Sequence, residues 1–219
     1  ALFPLDRLLY ASYMVLNVEN LSVSRGGRPL LVELSFNVSE GQALLLNGPN
    51  GLGKTSLLRT LAGLQPPLKG QIHVESDSAI YSGHADAIKT NLTVLENLRF
   101  WAEIFGSQIQ LNEVLEIFDL ARFRKRYAGS LSAGQKRRLG LSRLILSNRS
   151  LWLLDEPTVA LDQVSCGTLN EVVRVHLNSG GGAVIATHSD MNLSGKAKLL
   201  DLILYKPRQS LAFKEDELL

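Results

Sequence analysis

The sequence predicts an α/β fold with a mixed parallel core sheet, an antiparallel β subdomain and a helical subdomain. Three observations predict it. From Val15 onward, short apolar runs alternate with stretches of helical periodicity. Residues 16–23 and 31–38 alternate apolar with polar side chains, as strands of a half-solvated antiparallel sheet do. Residues 43–46 are apolar without a break, as in a buried parallel strand, and run straight into a glycine-rich turn.

The remaining elements follow in order. The glycine-rich turn opens a helix carrying Leu57, Leu58, Leu61 and Leu64, with Gly63 near its end and Pro66-Pro67 as its stop. Short strands are expected over residues 71–74 and 79–81. A helix over 93–105 opens with Thr93 and, three residues on, Glu96, the spacing of a capping box. A second helix over 111–120 completes a helical subdomain at about 91–147. The sheet resumes over 150–154, 183–187 and 199–204, and residues 214–219 read as a frayed, charged tail.

Composition bounds the answer. A chain of 219 residues can bury one sizeable core, and 45% hydrophobic with 20% charged residues argues against disorder. The formal net charge of +2 supplies no global field for nucleic acid. The lone Cys166 excludes an internal disulfide and fits a reducing compartment. No stretch is long and charge-free enough to cross a bilayer, so membrane association requires a partner. Residues 1–13 precede Met14 and are read as a non-native or unstructured extension. Arg7 followed by Leu8, Leu9, Tyr10 and Ala11 has the outline of a signal segment, but Asp6 and the lack of a cleavage site argue against one. Residues 14–219 are read as a single domain.

Gly48-Pro49-Asn50-Gly51-Leu52-Gly53-Lys54-Thr55 fits G-x-x-x-x-G-K-[ST], after a buried strand and before a helix. A triphosphate needs many donors in a small volume, and glycines allow the backbone to curl so that its N–H groups form an anion nest. The helix N-terminus adds positive potential. Lys54 is expected to reach the β/γ-phosphates of ATP, Thr55 to ligate Mg²⁺ and Ser56 to add a phosphate contact. Leu151-Trp152-Leu153-Leu154-Asp155-Glu156 is an apolar strand ending in two acids. Asp155 is placed to hold Mg²⁺ and Glu156 to polarise the attacking water.

Leu131-Ser132-Ala133-Gly134-Gln135 has capping-box spacing and opens a further helix with Leu139, Leu141 and Leu144. Lying between the phosphate loop and the acidic strand, this pentapeptide resembles the signature sequence of ABC ATPases. The resemblance extends to Val159-Ala160-Leu161-Asp162, similar to the family's D-loop, and to His188 after an apolar strand, similar to its switch histidine. It covers residues 15–204 and implies that the signature of one copy caps ATP on another, in a homodimer with two ATP sites.

Two positions depart from the family pattern. Where an aromatic residue stacks on adenine in many members, this chain has Arg25 between Ser24 and Gly26. Either its guanidinium plane stacks on the base or adenine is held loosely. At the Q-loop position, eight residues before Leu92, glutamine is replaced by His84. The run Gly83-His84 with downstream Lys89 resembles the ATP-binding subunits of the haem exporters of cytochrome c biogenesis. Leu98-Arg99-Phe100-Trp101 and the run from His176 to Gly180-Gly181-Gly182 agree. That resemblance implies an ATPase motor on an integral-membrane permease, peripheral on the cytoplasmic face of the inner membrane, or on the matrix face if organellar. Haem is then handled by partners, and the absence of C-x-x-C-H argues against His84 as a haem ligand.

Arg122-Phe123-Arg124-Lys125-Arg126 and Lys136-Arg137-Arg138 invite a nucleic-acid reading, against which stands a solvated helix face beside the signature. No direct nucleic-acid contact is expected, because acids cancel most of the charge. The alternatives are the ATPase of another ABC exporter, or a soluble ABC ATPase acting on nucleic acid or ribosomes.

Overall fold

Two sheets build the fold, and the carboxyl ends of one of them make the site. The computed structural model describes residues 13–75, 77–189, 191–193 and 195–207. Apart from Tyr13, the extension expected at the N-terminus lies outside the described residues, as does the tail over 214–219.

β1 (Met14–Arg25) and β2 (Arg28–Ser39) form an antiparallel hairpin, and β4 (Lys69–His73) pairs antiparallel with the other edge of β1. The hairpin turns through Gly26 and Gly27 with φ of 57° and 80°, the two positive values a type I′ turn demands. Leu16, Val18, Leu21, Val23, Leu31 and Leu34 point inward, but the expected alternation slips by one residue at Asn20 and at Glu33, which take φ of 49° and 58°. They pack on Leu57, Leu58 and Leu61 of α1 (Lys54–Leu61).

The second sheet runs in the order β5 (Ala79–Ser82), β6 (Leu151–Asp155), β7 (Gly182–Ala186), β3 (Ala43–Asn47), β8 (Ala197–Asp201). Every neighbouring pair in it is parallel, so the antiparallel pairing that made the sheet mixed in prospect resides wholly in the first sheet. β6 and β7 are buried throughout, which is why their sequences are apolar at consecutive positions.

α2 (Val94–Phe105), α3 (Leu111–Ile117) and α4 (Ala133–Leu146) share a core through Leu98, Trp101, Val114, Leu139, Leu141 and Leu144. Both capping boxes form in full: Thr93 with Glu96 on α2, and Ser132 with Gln135 on α4. The carbonyls of Arg126 and Arg124 also accept from Val94 N and Leu95 N. The basic stretch therefore finishes the α2 N-terminus.

Three elements end well short of the expected residue. α1 stops at Leu61 because Gly63 takes φ 70°; Leu64 lies outside it and is 55% exposed. The helix expected over 111–120 ends at Ile117, while Phe118 and Leu120 stay buried on a turn through Asp119 (φ 49°), which preserves the apolar spacing without the helix. The last strand ends at Asp201, whose carboxylate accepts from Ile203 N and starts a 3-10 turn, Leu202–Tyr205. α5 (Gln163–Asn178), which links β6 to β7, was not anticipated.

Candidate functional site

β3, β6 and β7 are neighbours, and the segments leaving their carboxyl ends meet. After β3, Gly48, Gly51 and Gly53 take φ of 146°, 81° and 120°, values that L-residues avoid. Between them Leu52 N donates to Pro49 O, closing a turn. The loop doubles back, and Lys54 Nζ donates to Gly48 O at 2.6 Å across its mouth.

After β6, Asp155 is 1% exposed and accepts from the Tyr81 hydroxyl at 3.2 Å. Burial, and then the adjacent Asp155 charge, push the Tyr81 phenol up to about 12. Tyr81 therefore remains a donor. Glu156 follows with φ 48°; its amide donates to Ala186 O and its carbonyl accepts from Arg137 Nη2. After β7, His188 Nε2 stands 3.5 Å from Glu156 Oε1, 2.9 Å from Asn50 Oδ1 and 3.3 Å from Lys54 Nζ.

Asn50, Lys54, Asp155, Glu156 and His188 line one cleft of about 480 Å³ together with Gly51, Gly53, Thr55, Ser56, Arg25 and His84, whereas Gly48, Pro49 and Leu52 of the loop are not part of its lining. Arg25 enters from the end of β1, and His84 from the segment after β5. Asp155 and Thr55 offer hard oxygen donors. Among the described residues, no group of three or more His, Cys, Asp or Glu could cage a metal alone. A carboxylate plus a hydroxyl, with the rest of the shell left open, fits a Mg²⁺ shared with phosphates.

The ABC transporter family model matches residues 31–159, more than half of the chain. The cytochrome c biogenesis ATP-binding export protein CcmA of Ruegeria pomeroyi is 52% identical over 195 residues, covering 89% of this chain and 94% of that protein. The same protein of Roseobacter denitrificans is 52% identical over 189 residues, covering 86% and 91%. The chain belongs to the CcmA family of ABC ATPases. Its fold also matches that of an ABC transporter ATP-binding protein from Pyrococcus furiosus, with a TM-score of 0.76 at 25% identity over 88% of this chain and 99% of that one.

Within this family frame, the signature does not join the cleft. Leu131 is buried, Ser132 and Ala133 are exposed, and none of Leu131, Ser132, Ala133, Gly134 and Gln135 lines the cleft around Lys54. Gly134 abuts the D-loop so closely that a Cβ would lie 2.9 Å from Ala160 O. Asp162 also lies away from the cleft, at the N-cap of α5. Its carboxylate accepts from Ser165 N, which holds its carboxyl below the usual range.

Residue spacing missed two partners of the site. Tyr81 reads as a strand aromatic, and only the pairing of β5 with β6 brings it to Asp155. Arg137 reads as one of a basic cluster, yet it is 4% exposed. Its spacing to Leu141 and Leu144 (i+4, i+7) already places it on the buried face of α4. The solvated helix face expected at residues 136–138 is thus corrected at Arg137, while Arg138 reaches Asp119 at 2.8 Å.

Proposed function

We propose that this ABC ATPase is the motor subunit of a membrane exporter serving cytochrome c biogenesis, acting as a homodimer beneath an integral-membrane permease that handles the haem-related cargo. Homodimer action finds its support in one observation. Lys54, Thr55, Asp155, Glu156 and His188 share one cleft, while the signature at Ser132 opens elsewhere on the same chain. A second copy placed head to tail supplies the missing wall. The cytochrome c assignment rests on the names of the Ruegeria and Roseobacter relatives. No helix among the described residues is long and apolar enough to cross a membrane; in this reading the subunit sits on the cytoplasmic or matrix face of the permease.

In the reaction, Lys54 and the loop amides orient the β/γ-phosphates of ATP. Thr55 and Asp155 would hold Mg²⁺, which when bound supplies positive charge against the phosphate oxygens. Tyr81 keeps Asp155 aimed. Glu156 takes the proton of the attacking water, and His188, beside both Glu156 and Asn50, orients that water and the γ-phosphate. Arg25 either stacks on the base or leaves adenine loosely held.

The nucleic-acid alternative loses residues to other bonds. Arg137 is buried, Arg138 and Arg122 both reach Asp119, and the Phe123 ring is covered by Arg122 at 4.8 Å. The test is genetic: loss of the chain removes holo-cytochromes c and spares b-type haemoproteins. Normal holo-cytochrome c in its absence would contradict the assignment.

A further inference from the structure

The guanidinium of Arg137 is enclosed, with its side chain 5% exposed, and it donates in three directions. Nη1 reaches Gly83 O at 2.8 Å and Asp86 Oδ1 at 3.1 Å, Nη2 reaches Glu156 O at 2.9 Å, and Nε reaches Pro157 O at 3.2 Å. One planar group thus joins the signature helix to two other segments: the one bearing His84 and the one bearing Glu156. Less than one helical turn further along α4, Gly140 lets Asp86 approach until a Cβ would lie 2.8 Å from its carbonyl oxygen. The charge is matched by Asp86 at 3.1 Å.

We infer that Arg137 is a positioning residue for hydrolysis, fixing the Glu156 carboxylate through its backbone and linking that position to the His84 segment. The inference rests on the proposed role of Glu156. A left-handed φ is unfavourable for glutamate and persists only where surrounding bonds over-determine it. Here Ala186 O receives the Glu156 amide on one side, and Arg137 grips the Glu156 and Pro157 carbonyls on the other. Val159 N also donates to the Glu156 carbonyl at 3.3 Å, while Arg137 alone donates to the Pro157 carbonyl among the bonds described. A lysine keeps the charge but lacks the planar fork that spans three segments. A shift of the Glu156 backbone moves its carboxylate away from the water, and a displacement of about 1 Å costs on the order of 10²-fold in rate. Nucleotide affinity, set by the phosphate loop, stays as it was.

The test compares Arg137→Lys and Asp86→Asn in the full chain, reading single-turnover hydrolysis, KM and the affinity for Mg-ATP. Arg137→Lys is expected to lose about 10²-fold in turnover, with KM and nucleotide affinity held within about twofold. Asp86→Asn, which weakens the grip without removing it, loses about tenfold in the same direction. Unchanged turnover in Arg137→Lys overturns the inference, as does an equal loss of nucleotide affinity. Should Arg137→Lys fail to fold, Asp86→Asn decides: lowered turnover at unchanged affinity supports the inference, and native turnover overturns it. An inert Glu156→Gln beside a fully active Arg137→Lys sinks this inference alone. An active Glu156→Gln sinks the role of Glu156 with it.

Discussion

His188 Nε2 lies 3.5 Å from the Glu156 carboxylate, although the two residues leave different strands and are joined only by the adjacency of β6 and β7. Asn50 Oδ1 of the phosphate loop lies 2.9 Å from the same ring nitrogen, a contact in which the amide oxygen accepts. The histidine therefore bridges the loop and Glu156. His188→Ala is expected to lower turnover by about 10²–10³-fold while nucleotide binding, measured by fluorescent-nucleotide titration, changes little. Loss of binding in step with turnover would assign His188 to the loop's architecture instead.

Gly140→Ala sets two effects against each other. Alanine favours the helix by about 1 kcal/mol over glycine, but its Cβ would meet Asp86 backbone at 2.8 Å. Overpacking of this kind costs about 1–3 kcal/mol. The clash wins, so the urea midpoint of unfolding falls; a raised midpoint would show that the His84–Asp86 segment yields freely.

Asn97 is fully buried and its amide side chain accepts from Lys89 N at 2.8 Å while donating to Lys89 O, Leu92 O and Thr93 O. Leu92 O also accepts from Ala128 N, and Thr93 O from Asn97 N, so both keep partners without the side chain. The Lys89 amide does not. Asn97→Ala is expected to cost about 1–3 kcal/mol and to raise hydrogen exchange at Lys89, measured by NMR or mass spectrometry. Unaltered exchange there contradicts the account.

His176 stacks on Trp152 with ring centroids 3.8 Å apart, and its Nε2 lies 3.1 Å from Gly182 O. Burial, the largest effect, lowers its pKa below 6.5, against the pull of the Gly182 and Ser150 carbonyls. The unfolded chain therefore binds the proton more readily. Stability from this group is complete above about pH 6.5 and is lost as pH falls through the depressed folded value. Melting curves between pH 7.5 and 5 should show this loss in the native chain and a shallower dependence in His176→Phe. Identical slopes would remove His176 from the acid response.

What could be read from the sequence was local. The capping boxes at Thr93 and Ser132 are written within four residues, and the phosphate loop, Asp155 and Glu156 lie within short motifs whose strand context is also local. α5 was legible in principle, since Leu169, Val172, Val173 and Leu177 form a helical stripe behind the capping Asp162. Arg137 was harder. Charge suggested a surface, and only the packing of α4 against residues 83–86 and 156–157 turns an arginine into an interior tie. The stack of His176 on Trp152 joins residues from α5 and β6, and nothing local announces it.

The central claim is that one chain holds half of each ATP site. Glu156→Gln, which keeps the side chain's shape but removes the proposed base, should bind Mg-ATP without turnover and trap the closed pair. Light scattering of that protein measures the claim directly. A shift from monomer to dimer mass on adding Mg-ATP, reversed by its removal, is the result expected. A mass that stays monomeric at saturating Mg-ATP would contradict the shared site.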